Sequence, residues 1–228
     1  MKKIILLRHG QSQWNLENRF TGWTDVDLSD KGREEAREAG RLIREAGLEP
    51  RYYFTSYLKR AIHTLQLAAA EMDREWVPVI KDWHLNERHY GALQGLNKAD
   101  TAEKYGEEQV HIWRRSFDVM PPLLTPDDPR FPGNDPRYAA LPMEDLPLSE
   151  SLQNTIARVH SCWDEVIVPK LALYDTVLIA AHGNSLRALA MLLLHMTATE
   201  VVDLEIPTGK PWVFTLDDRM QVIENAYL

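Results

Sequence analysis

A single cysteine, Cys162, stands among 228 residues, so neither an intrachain disulfide nor a cysteine zinc cluster can form. Such scarcity fits a reducing compartment. Positive charge is also short: 26 Lys and Arg face 34 Asp and Glu, a formal net charge of −8. A sequence-independent nucleic-acid binder needs a basic surface from which to release counterions, so this balance argues against a nucleic-acid partner. Long apolar runs are missing too. Met1, two lysines, four apolar residues and then Arg8 fall short of the roughly 7 to 15 apolar residues of a signal-peptide core. Nothing approaches the roughly 20 apolar residues of a membrane span. The expectation is a cytoplasmic protein with no membrane contact. No HExxH helix, Cys/His ligand spacing or Walker A loop occurs, which sets aside a zinc protease and a nucleotide triphosphatase and predicts no metal site.

What is present suffices for a globular core, with 44% hydrophobic and 26% charged residues. Net acidity does not forbid a small anionic ligand, because salt confines each field to about 8 Å and a local cationic pocket works alone. The apolar run Ile4 to Leu7 reads as a strand buried on both faces. A helix follows, with Ser29 as N-cap, small or apolar residues at Ala36, Ala39, Gly40 and Ile43, and Gly47 as its stop. Strand 52–56, a helix over about Leu58 to Met72 and a strand around Val77 to Ile80 repeat the alternation. Two helical segments are expected between Asn97 and Phe117. Eight of the 13 prolines then fall between Pro121 and Pro147, which predicts a long irregular insertion. Beyond it come a helix over about Glu150 to Val168, strand Val177 to Ala181, helix Ser185 to His195, a capping box at Thr197 and Glu200, and β-favouring runs Trp212 to Leu216 and Gln221 to Leu228. The alternation predicts an α/β fold: a three-layer α/β/α sandwich on a mostly parallel central sheet. The whole chain, 1–228, is expected to be one domain with a helical and Pro-rich insertion at about 97–148.

Two of the strands run into the same dipeptide. LLRHG puts His9 and Gly10 after the first strand, and AAHGN puts His182 and Gly183 after the strand 177–181. In open α/β sheets ligands bind beyond the carboxyl ends of the strands. A glycine after each histidine removes a side chain and allows close approach to the imidazole. Neutral imidazole is a nucleophile toward phosphorus, and the guanidinium of Arg8 offers a planar fork to phosphate oxygens. An isolated His-Gly more often just ends a strand; two at equivalent positions, one preceded by arginine, point to phosphoryl transfer. That chemistry needs charge neutralisation. Arg60 falls in the first turn of the helix after the second strand, where the helix N-terminus adds to its pull on an anion. Glu87 follows the third strand, Lys98 comes next, and Arg114 with Arg115 forms a further cationic pair.

The motifs RHGQSQWN at 8–15, RFTGWTDVDLS at 19–29, TSYLKRA at 55–61, LNERHYGALQGLNK at 85–98, WRRS at 113–116 and AAHGNSLRAL at 180–189 closely resemble those of the 2,3-bisphosphoglycerate-dependent phosphoglycerate mutases of the histidine phosphatase superfamily. They span nearly the whole chain. RHG alone marks the superfamily, whereas NERHYGALQGLNK with WRR marks the mutase branch. The resemblance implies the phosphoglycerate mutase-like fold and interconversion of 3-phosphoglycerate and 2-phosphoglycerate through a phosphohistidine at His9. It implies 2,3-bisphosphoglycerate as intermediate and as the primer that phosphorylates His9. Glu87 would shuttle the hydroxyl proton with a pKa nearer neutrality than a free carboxylate, and His182 would donate a hydrogen bond to the transferring group. Arg8, Asn15, Arg60 and Gly183 would surround that group. Thr21, Gly22, Tyr90, Lys98, Arg114, Arg115 and Asn184 would hold the carboxylate and second phosphate, with Ser12, Arg88 and His89 counted in the same substrate-binding set. Family members assemble as homodimers or homotetramers, and the segment Trp76 to Ile80 is a candidate interface by that analogy. Two departures stand out. Position 11 is Gln where many relatives carry Glu, and the sequence ends at Tyr227 and Leu228 without their longer Ala/Lys-rich tail. The second predicts more side phosphatase activity, because excluding water protects phosphohistidine.

Overall fold

The computed structural model describes residues 1–228. In chain order it contains β1 (Lys2–Arg8), α1 (Gln13–Leu16), α2 (Asp30–Glu45), β2 (Tyr52–Thr55), α3 (Lys59–Glu71), β3 (Val79–Lys81), α4 (Lys98–Tyr105), α5 (Glu107–Arg115), α6 (Leu152–Cys162), α7 (Val168–Leu173), β4 (Thr176–Ala181), α8 (Gly183–Leu194), α9 (Ala198–Asp203), β5 (Pro211–Leu216) and β6 (Val222–Tyr227). The six strands form one sheet in the order β3-β2-β4-β1-β5-β6. The four on the β3 side are parallel, and β5 and β6 close the other edge antiparallel. The expected three-layer, mostly parallel architecture is therefore present.

The central strands are buried on both faces because their side chains alternate. Ile4 and Leu6 of β1 join Phe54, Val177 and Ile179 in a core completed by α6 and α8, including Val159, Leu186 and Leu189. Ile5 and Leu7 turn the other way, toward Ala39 and Ile43 of α2 and Leu65 and Ala68 of α3. Register then aligns the strand ends. Arg8 pairs with Ala181 across β1 and β4, and Thr55 pairs with Ala180 across β2 and β4, so His9, His182 and Ser56 emerge together at one rim.

Three local differences from the sequence reading have physical causes. The helix expected to end near Val168 continues to Leu173 through a wider π-helical stretch, Trp163–Ile167. Pro169 has no N–H to donate to Glu165, and the wide turn absorbs the lost bond. The third strand is shorter than expected and lies at the sheet edge, with Trp76 and Val79 exposed. The Pro-rich segment holds only three single turns, at 132–134, 136–138 and 143–145, yet it is tied down. Leu124 N–H donates to the Leu148 carbonyl at its neck, and Phe131, Tyr138 and Leu146 pack on Trp23 and Trp83.

Candidate active site

Beyond the rim of β1, β2 and β4 lies a pocket with only three hydrophobic residues among the 18 that line it. Thirteen of the expected residues meet there: Arg8, His9, Asn15, Thr21, Gly22, Arg60, Glu87, Tyr90, Lys98, Arg114, Arg115, Gly183 and Asn184. Behind them His182, fully buried, sets its ring 5.0 Å from that of His9 at an interplanar angle of 62°.

The surroundings of His9 suit a nucleophile. Its Nδ1 lies 2.6 Å from the Gly10 carbonyl oxygen, a contact that requires the proton on Nδ1 and leaves the Nε2 lone pair free. Burial, then the charges of Arg60 and Arg8, hold its pKa well below 6.5, so the ring is neutral at physiological pH. His182 is held neutral by burial and by Arg60 and His9. Its Nε2 lies 2.7 Å from Ser56 Oγ. With the Ser56 hydroxyl donating, the imidazole proton sits on Nδ1, which has no partner in the protein. Arg60 reaches back from the first turn of α3 and donates to the Gly22 and Thr24 carbonyls, at 2.7 and 3.0 Å. Burial lowers its pKa only to about 10, so the charge persists.

Glu87 is fixed by its own backbone. Trp23 Nε1 and Arg158 Nη2 donate to its carbonyl, and Arg158 also clasps Glu150 through two hydrogen bonds, 2.7 and 2.9 Å. Its carboxylate Oε1 accepts from the Arg88 N–H and the Asn184 side chain. The near-neutral pKa expected for Glu87 is absent here. Burial pushes the carboxyl up, but those hydrogen bonds and the charges of Arg60 and Arg8 outweigh it and leave it below the usual carboxylate value.

Besides His182, which lies behind the lining, three expected site residues do not line the pocket. Ser12 is buried as the N-cap of α1 and exchanges hydrogen bonds with Asn15, so it holds a lining residue in place. The Arg88 guanidinium turns to the Trp113 carbonyl and stacks on Tyr90. His89 is buried, its Nδ1 accepting from Gly91 N–H. Adjacency in sequence does not carry over to the pocket for these three, because neighbours on an irregular loop point in different directions. The glycine after His9 also serves a different contact than expected: a Cβ on Gly10 would stand 2.1 Å from the Gly32 carbonyl oxygen, so the close approach is from α2. A Cβ on Gly183 would meet Arg8 and Glu87 at ordinary contact distance, so that glycine does face the pocket.

Sequence reasoning missed Arg19, Phe20, Arg187, Glu205 and Ile206 of the lining. Arg187 sits one helical turn after Gly183 on α8, a spacing that could have revealed it. Arg19 and Phe20 lie inside a quoted motif. Glu205 and Ile206 come from the loop between α9 and β5, where nothing in the sequence marks them. With Arg19 and Arg187 the pocket holds seven basic side chains against two acids, Glu87 and Glu205. No cluster of three or more His, Cys, Asp or Glu suits a metal ion, and no helix is long and apolar enough to cross a membrane.

Residues 4–126, more than half of the chain, match the family described as "Histidine phosphatase superfamily (branch 1)". Among solved structures, a mycobacterial glucosyl-3-phosphoglycerate phosphatase in complex with VO3 superposes with a TM-score of 0.74 at 20% identity, covering 100% of this chain and 97% of that one. The alpha-ribazole phosphatase of Shigella flexneri gives 0.70 at 21% identity, over 96% and 93% of the two chains. YhfR of Bacillus stearothermophilus gives 0.72 at 19%, over 97% and 94%. Likeness at this identity speaks for the fold alone.

Proposed function

The chain belongs to branch 1 of the histidine phosphatase superfamily, and from that premise we propose that it interconverts 3-phosphoglycerate and 2-phosphoglycerate through a phosphohistidine at His9. The observation that carries this reading is the extent of the positive lining. Arg8 and Arg60 stand with His9, while Lys98, Arg114, Arg115 and Arg187 supply a second set of cations that a one-phosphate hydrolase does not need. A mutase must retain an intermediate with two phosphates.

Phosphorylated His9 passes its phosphoryl group to the substrate's 2-hydroxyl: the bond from Nε2 to phosphorus breaks, the new oxygen–phosphorus bond forms, and the hydroxyl proton moves to Glu87. The 3-phosphoryl group of the resulting bisphosphate then transfers to His9 and the proton returns from Glu87 to oxygen 3. Anions bound beside Arg8 and Arg60 cancel the charges that depress the Glu87 carboxyl, which shifts it toward the range a proton shuttle needs. His182 donates from Nδ1 to the transferring oxygens, and Arg60 neutralises charge as it spreads over them. A primer, 2,3-bisphosphoglycerate, supplies the first phosphoryl group to His9. The unpartnered Arg8 Nε, Thr21 Oγ1 and His182 Nδ1 are donors suited to such an anion.

A phosphatase is the second reading, favoured by the activities for which the glucosyl-3-phosphoglycerate and alpha-ribazole phosphatases that share the fold are named. There water, not a sugar-acid hydroxyl, accepts the group from His9. Incubation with 3-phosphoglycerate and a trace of 2,3-bisphosphoglycerate decides. We expect 2-phosphoglycerate to accumulate, and release of inorganic phosphate without it would replace the mutase by the phosphatase.

A further inference from the structure

Glu205 is the acid in the pocket that the proposed reaction leaves without a role. Its Oε1 stands 2.5 Å from Arg115 Nη2 and 3.8 Å from Arg187 Nη2. It therefore engages the donors that a ligand's second anionic group would use. The backbone on either side is pinned: Arg187 Nε donates to the Leu204 carbonyl and Arg8 Nη1 to the Ile206 carbonyl, both at 2.7 Å. The side chain between these anchors is 65% exposed, whereas that of Arg187 is only 11% exposed. The cationic subsite is thus built in, and the carboxylate filling it has room to leave. An ion pair this open to water is weak, so a phosphate dianion competes with it successfully.

We propose that Glu205 is a displaceable resident anion, which fills the second anion subsite between Arg115 and Arg187 in the free protein and swings into solvent when a ligand's second anionic group takes its place. The identity of that ligand rests on the mutase reading; the displacement does not. Glu205 thereby sets specificity. A ligand with one phosphate held at His9 leaves it undisturbed, while a ligand with two anionic groups works against it.

Calorimetric titration of the wild-type chain and Glu205→Gln with pyrophosphate, 3-phosphoglycerate and inorganic phosphate tests this at fixed ionic strength. Glutamine keeps the size and removes the charge, at an exposed position where folding is not at stake. The dissociation constants of the two-anion probes should fall by about three- to tenfold, and that of inorganic phosphate by less than about twofold. Unchanged affinity for both two-anion probes, or no binding of either to both proteins, overturns the proposal. Weaker binding also overturns it, because Glu205 would then be holding Arg115 in place for the ligand. An equal gain for inorganic phosphate would mean a general field and no displacement. Tighter binding of the probes with no 2-phosphoglycerate formed sinks the mutase and leaves the displacement standing; 2-phosphoglycerate formed at unchanged affinity does the reverse.

Discussion

At the residue scale the proposed chemistry rests on one imidazole held neutral and one guanidinium held charged in the same buried layer. His9→Ala removes the only nucleophile this account provides, so turnover should vanish, while calorimetry should still detect 3-phosphoglycerate bound through Lys98, Arg114 and Arg115. Substantial residual turnover would contradict a covalent route. Arg60 is a different case, because its two carbonyl bonds order the turn at Gly22 while its charge lines the pocket with His9. Arg60→Ala should lower kcat by about 10²- to 10³-fold and raise KM much less, since the contact strengthens as charge spreads in the transition state. A melting curve with the pocket filled by phosphate separates this from loss of fold. Equal effects on kcat and KM would make Arg60 a binding group only.

At the scale of elements, legibility followed periodicity. Strands β1, β2 and β4 and helices α2, α3 and α8 were readable from their apolar runs and helical spacing, and caps marked the starts of two helices, Ser29 for α2 and Thr197 for α9. Motif position alone brought His9, Arg60, Glu87 and His182 to one rim, because parallel strands in register end at one level. What could not be read was whatever depends on loop direction: Ser12, Arg88 and His89 turned away from the pocket, and Glu205 turned into it. The clamp on Glu87 was equally hidden. Arg158 lies on α6, 71 residues from Glu87, and it binds the His84, Asn86 and Glu87 carbonyls as well as the Glu150 carboxylate. Arg158→Met should therefore cost about 3–5 kcal/mol by leaving Glu150 buried without its partner. Chemical denaturation would measure that loss. The paired change with Glu150→Gln should cost less than the two single changes summed, and strict additivity would show that the two side chains are not coupled.

At the scale of the whole molecule, a chain of net charge −8 concentrates seven basic side chains in one pocket and seats neutral histidines within and beside it. That arrangement ties stability to pH. His9, His182 and His89 are all buried, the first two held well below 6.5 and the third, chiefly by burial, at about 4. An unfolded chain protonates these rings near 6.5, so below that pH the unfolded state binds more protons than the native state. Stability is then fully present above about 6.5 and declines on acidification, by about 1.4 kcal/mol per pH unit for each ring. His89 alone contributes roughly 3 kcal/mol between 6.5 and its native value. Urea unfolding at pH 7.5, 6.5 and 5.5 should show a small loss over the first interval and a larger one over the second, about 1 kcal/mol of it from His89 and the rest from His9 and His182. Inorganic phosphate separates the three rings. It offsets the Arg8 and Arg60 charges that help to depress His9 and His182, so their share of the slope should shrink when phosphate is bound. His89 faces Glu150, Arg158, Arg130 and Asp128 and does not line the pocket, so its share should persist. A pH profile that is flat without phosphate would mean that the native rings, His9 among them, titrate with the unfolded chain near 6.5, and burial would then not be what keeps the His9 imidazole neutral.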